Sequence, residues 1–533
     1  MRKLVRLAVV ALAVTAASAV FAQSASASPS KANPCANCHS GTNVPVTATL
    51  SANNGTNATY NASAPSGDAI AVFEGPTKRA TINANSGQFT VPVGKTYTVF
   101  AVRGPDDNTG VGQTNVSPVA PTPDTTAPVT ASNALPAYTR VAAIFLSATD
   151  NVAGTIRTFY RIDGGSTAEG ASILISEPGT HTVEYWSRDA AGNDETPKSA
   201  TINITAAPGQ VQRLAGADRF TVAANMARAG WDPSGTKAYP GVKSIIIANG
   251  ETGKEADPLA AAGLAGAYDA PVLLVKATAV PSSTKQVVTE IAAKNPGVVI
   301  RVVGGTASVP DGIASQLRAI PGVSKTAVRI AGADRYQVTA NIAKAMSAVL
   351  GSKLKGAYII NSENPAAFYD ALAASPGAYA GKYALLGVKA GSVPSSVSQV
   401  LSTTFASKPR YVVNSATYVS AGVYSATRAT RRFSTTSNRY ASAAAIANAI
   451  DDVAPVSSTQ VGLAAKLPDA LTGGVFMGKR AGVMLFTGTT SALNTSASSY
   501  INTRSEFIGK GWVLGGTASV PTTQENQFKA ILQ

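Results

Sequence analysis

Two cysteines and two histidines are all that 533 residues contain, and this scarcity removes several classes of protein at once. Cys35 and Cys38 are three positions apart, so no network of bridges staples the chain, and its domains must rest on apolar cores. His39 and His181 do not form the H-E-x-x-H of a metallopeptidase. His181 falls in a segment that reads as a strand, which leaves a serine hydrolase without a credible base. No G-x-G-x-x-G occurs and no phosphate-loop G-x-x-x-x-G-K-[ST], since Gly94-Lys95-Thr96 lacks the leading glycine, so a nucleotide-cradling loop is not indicated. Charged residues make up 14% of the chain, yet 45% is hydrophobic, which is enough to bury real cores and unlike a disordered composition. After the first 27 residues no run approaches the ~20 apolar residues that a membrane span requires. The C-terminus carries no apolar tail with a basic stop, so covalent sorting to a cell wall is not expected.

The N-terminus has what the rest lacks. Arg2, Lys3 and Arg6 precede an apolar stretch over 7–22, and small residues offer cleavage after Ala22 or Ala27. This is the pattern of an export signal, 1–27, and it places the mature chain outside the cytoplasm with no integral span. Residues 28–45 hold the motif Cys35-Ala36-Asn37-Cys38-His39. It fits c-type haem attachment: two thiols form thioethers to the vinyl groups and the adjacent His39 reaches the iron. The run Cys38-His39-Ser40-Gly41-Thr42 resembles sites in multihaem cytochromes. Three readings stand: covalent haem c on Cys35, Cys38 and His39; a disulfide or free dithiol in an oxidising compartment; or a weak metal site, for which zinc would be short of ligands.

Residues 46–120 read as a β-sandwich-like domain, with alternating segments at 88–91 and 96–100 bounded by Asn, Gly, Pro and Asp. A Pro/Thr-rich stretch over 118–128 supplies an extended linker, 121–127 at its centre. A second β-domain follows at 128–206, with strands at 142–147, 156–162 and 181–188 and turns at Asp150-Asn151, Asp163-Gly164-Gly165 and Ala191-Gly192-Asn193. Short strands at this spacing suggest an Ig-like sandwich. The pieces Ala148-Thr149-Asp150-Asn151, Tyr160-Arg161-Ile162-Asp163-Gly164 and Asp189-Ala190-Ala191-Gly192-Asn193 resemble the Ig-like stalk domains of bacterial surface proteins. That resemblance implies a spacer or adhesive module.

Beyond residue 210 the character changes. Apolar strands (243–248, 271–275, 298–303) alternate with Ala-rich helices (257–268, 282–294, 310–320), the pattern of a parallel sheet covered by helices. The charge changes as well. Residues 1–210 hold 13 basic and 13 acidic side chains, and residues 211–533 hold 31 and 16, so the whole net charge of +15 lies in the C-terminal part. A basic module outside the cell has polyanions as its natural partners, and export argues against nucleic acid.

The same part repeats. Arg213-Leu214-Ala215-Gly216-Ala217-Asp218-Arg219-Phe220 recurs 116 residues on as Arg329-Ile330-Ala331-Gly332-Ala333-Asp334-Arg335-Tyr336, and a weaker copy ends in Asn438-Arg439-Tyr440. Each opens a helix behind an Asp or Asn suited to cap it. Asp257, Asp370 and Asp469 recur near the start of a later helix, where a carboxylate complements the dipole. Val303-Gly304-Gly305-Thr306-Ala307-Ser308-Val309-Pro310 returns as Leu514-Gly515-Gly516-Thr517-Ala518-Ser519-Val520-Pro521, whereas the middle copy, Val413-Asn414-Ser415, has lost both glycines. The units run over 211–323, 324–428 and 429–533. Capping and turn formation account for every one of these marks without a ligand.

In triplicate and in this order, the landmarks resemble the bacterial cell-wall-binding repeat of clostridial surface-layer and wall proteins. The resemblance implies three flavodoxin-like α/β repeats in a pseudo-threefold arrangement behind the all-β, Ig-like domains. It further implies non-covalent attachment to an anionic secondary wall polymer, a polysaccharide or a teichoic-acid-like chain. Arg219, Arg335 and Arg439 are the candidate polymer contacts, since Arg suits bidentate phosphate or carboxylate recognition. The missing glycines and the altered third opening, Arg432-Phe433-Ser434-Thr435-Thr436-Ser437, set the units apart from one another. The expected function is a non-enzymatic protein of the cell wall and surface; the alternative is a wall-tethered c-type haem electron-transfer protein.

Overall fold

A computed structural model describes residues 46–533 except 54–56, 65–68, 76, 83–85, 103–109, 118–122 and 153. The export signal and the haem-type motif Cys35, Cys38, His39 lie outside the described residues. The chain divides into two compact units. One holds the described residues up to 129 together with 148–157 and 187–196; the other holds 130–147, 158–186 and 197–533.

In the first unit two antiparallel sheets form. One contains β1 (Thr47–Asn53), β2 (Asn57–Ser63) and β5 (Ser86–Pro92); the other runs β4 (Thr77–Ile82), β3 (Ala69–Glu74), β6 (Tyr97–Val102), β7 (Gly110–Val116). Alternation in β2 and β5 sends Tyr60 and Phe89 to the same face, where they pair across the strands and stack at 5.3 Å. Ile70, Val72, Tyr97 and Val99 complete this core.

The next strands form a sheet of β8 (Val129–Ser132), β10 (Ala142–Thr149) and β13 (Ser172–Ile175). A second sheet is ordered β12 (Ala168–Glu169), β11 (Arg157–Ile162), β14 (Gly179–Arg188), β15 (Lys198–Thr205), β9 (Ala137–Thr139). Ile144, Leu146, Ile173, Val183 and Ile202 fill the core. His181 lies on β14 as expected. Its Nδ1 is 2.7 Å from an Asp163 carboxylate oxygen and its Nε2 is 2.9 Å from the Glu177 carbonyl. The Asp163 bond pushes its pKa up. With both nitrogens engaged, His181 pins the turn at Asp163 and Gly164, both of which take positive φ.

The second unit continues into three α/β repeats. The first contains α1 (Arg219–Trp231), β17 (Ser244–Asn249), α2 (Ala256–Tyr268), β18 (Val272–Val275), α3 (Ser282–Lys294), β19 (Val298–Val303) and α4 (Asp311–Arg318). The second contains α5 (Arg335–Leu350), β21 (Gly356–Asn361), α6 (Phe368–Gly381), β22 (Tyr383–Val388), α7 (Ser395–Ser402), β23 (Arg410–Val412) and α8 (Ala421–Ala426). The third contains α9 (Arg439–Asp451), β25 (Gln460–Ala464), α10 (Leu467–Lys479), β26 (Val483–Phe486), α11 (Thr495–Asn502), β27 (Lys510–Leu514) and α12 (Thr522–Leu532). Every residue of β17, β18, β21 and β22 is buried, which is why these strands read as unbroken apolar runs.

Each sheet has four parallel strands, and the fourth comes from the segment that leads into the next unit. β20 (Val323–Ile330) completes the order β18-β17-β19-β20, and β24 (Arg431–Arg432) completes β22-β21-β23-β24. The third sheet is completed by β16 (Gln210–Leu214), which stands ahead of the first repeat and pairs with β27 from Gln210↔Lys510 to Leu214↔Leu514. The edge strands thus pass from unit to unit and close on themselves. Arg213 on β16 seals the closure with a half-buried ion pair to Glu525 at 2.8 Å.

Helices α2, α6 and α10 each pack against the other two. Small residues permit the approach: at Gly266 of α2 a side-chain carbon would stand 2.2 Å from the Tyr379 carbonyl oxygen on α6. At the C-terminal ends the repeats are tied by charge. Lys479 Nζ donates to both carboxylate oxygens of Asp269 at 2.8 Å, and the Tyr379 hydroxyl donates to the same group. In the same unit Arg140, held at φ 68°, donates to the carbonyls of Ser505 and Leu532 at 2.6 Å and of Glu506 at 3.1 Å. The cleft beside it, about 570 Å³ and lined by Arg140, Ser176, Pro178, Pro208, Glu506 and Gln533, is a seam between the preceding strands and the end of the third repeat.

Candidate functional site

The repeated arginines stand where the sequence places them, one residue inside a capped helix. Asp218 accepts from the Thr221 amide at 2.8 Å, Asp334 from the Gln337 amide at 2.7 Å, and Asn438 from those of Tyr440 and Ala441. The repeated aspartates stand in the first turns of α2, α6 and α10. The structure then does what the linear order does not reveal. Helix α5 packs on α2, α9 on α6 and α1 on α10, and two of these contacts bring an arginine to the aspartate of a neighbouring unit, Arg335 to Asp257 and Arg219 to Asp469.

Two of the three boundaries are alike. At one, Asp257 is half-buried, and burial pushes its pKa up, while the Ser308 hydroxyl and the charges of Lys254 and Arg335 pull it back. At the other, burial pushes Asp469 up, while Ser519, Lys466 and Arg219 pull it back in the same way. Each cation that acts across a boundary is also anchored in its own unit: Arg219 donates to the Gly250 carbonyl at 2.8 Å, and Arg335 to that of Ser362 at 2.6 Å. The glycine pair brings backbone onto the carboxylate. Gly304 (φ 106°) and Gly515 (φ 114°) take a conformation closed to other residues, and a side-chain carbon there would lie 2.3 Å from Asp257 Oδ2 or 2.4 Å from Asp469 Oδ2. Each of these two boundaries therefore offers one arginine, one lysine and one carboxylate acceptor, half-buried at Asp257 and buried at Asp469. Such a set meets both parts of an anionic glycan, the cations taking its charge and the carboxylate accepting from a hydroxyl.

The third boundary differs. Arg439 lies over the ring of Tyr369 at 4.6 Å and that of Tyr440 at 4.9 Å, and it donates to the Tyr440 hydroxyl at 2.8 Å. Asp370 is 2% exposed. It accepts from Asn414 Nδ2 at 2.9 Å and from Ser442 Oγ at 2.5 Å, and burial still pushes its pKa up to about 6.

Sequence reasoning marked the three repeated arginines and aspartates but not the approach of Arg335 to Asp257 and of Arg219 to Asp469 across units. It missed Lys254 and Lys466, although each stands three residues before its aspartate and the coincidence was open to inspection. Nor did it see that Ser442 reaches back to Asp370. The haem-type residues Cys35, Cys38 and His39 lie outside the described residues. Among the described residues, Asp124, Asp150 and Asp189 bring one carboxylate oxygen each within 4.8 Å of the others. Asp189 spends its oxygens on the amides of Gly192 and Asn193 and on the Asn193 side chain.

Three basic α/β repeats behind a β-rich region, with arginine, lysine and aspartate gathered at two of the boundaries between repeats, are the features of a wall-associated surface protein. The profile of the cell wall binding domain 2 (CWB2) family matches residues 213–314, 329–424 and 435–525, and the chain belongs to that family. Two solved structures share the fold, both from Clostridium difficile. Cwp6 matches with a TM-score of 0.52 at 19% identity over 92% of this chain and 68% of its own. Cwp8 matches with a TM-score of 0.50 at 16% identity over 94% and 82%. The N-acetylmuramoyl-L-alanine amidase LytC of Bacillus subtilis (strain 168) is 27% identical over 323 residues, 61% of this chain and 59% of that enzyme. The chain therefore spans about three fifths of the amidase's length. No helix among the described residues is long and apolar enough to cross a membrane.

Proposed function

We propose that this chain is a non-enzymatic surface protein held non-covalently on an anionic secondary wall polymer, with the polymer seated in the clefts between repeats. The observation that carries the reading is the paired set Arg335–Lys254–Asp257 and Arg219–Lys466–Asp469, built alike at two unit boundaries. Placement of the whole +15 in residues 211–533 supports it, since a polyanion is then drawn to this part of the chain. The strand order, second-first-third-fourth in every sheet, supports a flavodoxin-like unit. Mutual packing of α2, α6 and α10 supports the pseudo-threefold arrangement. The β-domains serve as Ig-like spacers in this reading. The amidase activity of the Bacillus relative is not carried over, because the match leaves two fifths of that enzyme uncovered.

Exposed charge contacts are screened by salt. The protein should sediment with isolated walls at about 10 mM salt and come off well before about 1 M, as the Debye length falls from about 30 Å to about 3 Å. Protein that stays in the supernatant at the lowest salt defeats the reading.

A second reading rests on Cys35-Ala36-Asn37-Cys38-His39: the anchored chain displays one covalent haem c and relays electrons at the surface. Protein produced with haem-maturation machinery should then give a pyridine haemochrome spectrum that C35S/C38S loses. A colourless product from the wild type removes this reading and leaves the first in place.

A further inference from the structure

We propose that only two of the three boundary clefts take the wall polymer, and that the cleft between the second and third repeats is closed by its own side chains. The proposal rests on the reading of Arg219 and Arg335 as polymer contacts. Three substitutions at equivalent positions carry it.

The first concerns charge. Lys254 and Lys466 precede their aspartates by three residues, and the same place in the middle unit is Ala367, fully buried. One of the two cations is gone.

The second concerns space. Gly304-Gly305 and Gly515-Gly516 become Asn414-Ser415, of which 0% and 1% are exposed. The Asn414 amide fills the cleft floor: it donates to Asp370 and to the Ala367 carbonyl at 3.0 Å, while its oxygen accepts from the Asn361 amide at 2.8 Å. The backbone strain that needs glycine is absent here, as Asn414 is not among the residues with positive φ.

The third concerns the acceptor. Helices α1 and α5 carry Val222 and Val338 where α9 carries Ser442. Valine donates nothing, so in the first two clefts the facing helix adds no donor, and the carboxylate has beside it only the hydroxyl of Ser308 or Ser519 from its own unit, which leaves an oxygen to accept from a sugar hydroxyl. Ser442 reaches across the boundary and takes one oxygen of Asp370, and Asn414 takes the other. A buried carboxylate whose two oxygens are both met by protein donors has little left to offer a ligand.

Arg439 is drawn onto the rings of Tyr369 and Tyr440 beside this closed floor. The middle boundary is thus a lock between repeats, and the module is bivalent. Two sites on one body bind a long polymer through avidity, so losing either site should cost far more than a single contact.

The test is quantitative sedimentation of the full chain with polymer-bearing wall sacs at low salt, using R219M, R335M and R439M. Methionine keeps an apolar stem on neighbouring rings while removing the charge. Each variant is checked for wild-type melting, with R439Q as the substitute should R439M melt early. We expect R219M and R335M each to weaken binding by about tenfold or more and R439M to change it by less than about twofold. Equal losses from all three arginines overturn the two-cleft proposal and leave the wall-binding reading standing. A loss at Arg439 alone, or at only one of Arg219 and Arg335, also overturns it. No loss from any variant, with walls still bound, shows that the polymer sits elsewhere and removes the assignment of the clefts on which the proposal depends.

Discussion

Gly266→Ala should lower stability by about 2–3 kcal/mol, although the same exchange in an open helix raises it. The expected sign follows from geometry. In a free helix interior alanine is better than glycine by roughly 0.5–1 kcal/mol, because glycine loses more backbone freedom on folding. At Gly266 the added carbon would stand 2.2 Å from the Tyr379 carbonyl oxygen and 2.8 Å from its Cα. Those are backbone atoms of α6, and no rotamer change moves them. Helices α2 and α6 must separate instead, which pulls Tyr379 and Lys479 away from Asp269 and loosens two boundaries together. Gly312 is the control. It lies in the first turn of α4 with nothing within 4 Å of a side-chain carbon, so Gly312→Ala should be neutral or stabilising by a few tenths of a kcal/mol. Thermal denaturation of the two variants reads the contrast directly, at about 2–4 °C per kcal/mol for a domain of this size. A stabilised Gly266→Ala protein would mean that the repeats do not pack through these helices.

Much of the repeated module was legible because its signals are local. The strands at 243–248, 271–275 and 298–303 appear in the structure within a residue or so, since a strand covered on both faces is apolar throughout and needs no partner to be recognised. Helix starts at Arg219, Arg335 and Arg439 follow from their caps, which are chosen within three residues. What escaped is non-local. Nothing in the residues of Val323–Ile330 says that the segment finishes the sheet of the unit before it. The pairing of Gln210–Leu214 with a strand 300 residues away is likewise invisible to periodicity.

The same limit applies to the site. In sequence the three arginines look equal. Their inequality is written in Ala367, Asn414 and Ser442, three residues from two different repeats that meet around one carboxylate. The lost glycines flagged the middle unit as different, but the direction of the difference required knowing that Asn414 turns inward onto Asp370. Similarly, the sequence shows a basic C-terminal part but not where its charge is gathered. Lys254 and Lys466 gain meaning only when α5 and α1 bring an arginine to each of them.

The largest functional effect should come from changing the wall and not the protein. If the clefts grip phosphate or uronate groups, chemical removal of the anionic secondary polymer leaves the peptidoglycan mesh intact and takes away the ligand. Each charge-assisted contact is worth roughly 1.5–3 kcal/mol, and losing several of them together should abolish measurable retention. The direct measurement is a binding isotherm of the full chain on two preparations of the same sacs, one native and one acid-stripped of its polymer, in one low-salt buffer. Saturable binding to the native sacs with a fall of about a hundredfold or more on the stripped ones is the predicted result. Equal isotherms on both would contradict the account, because the protein would then be holding the mesh itself.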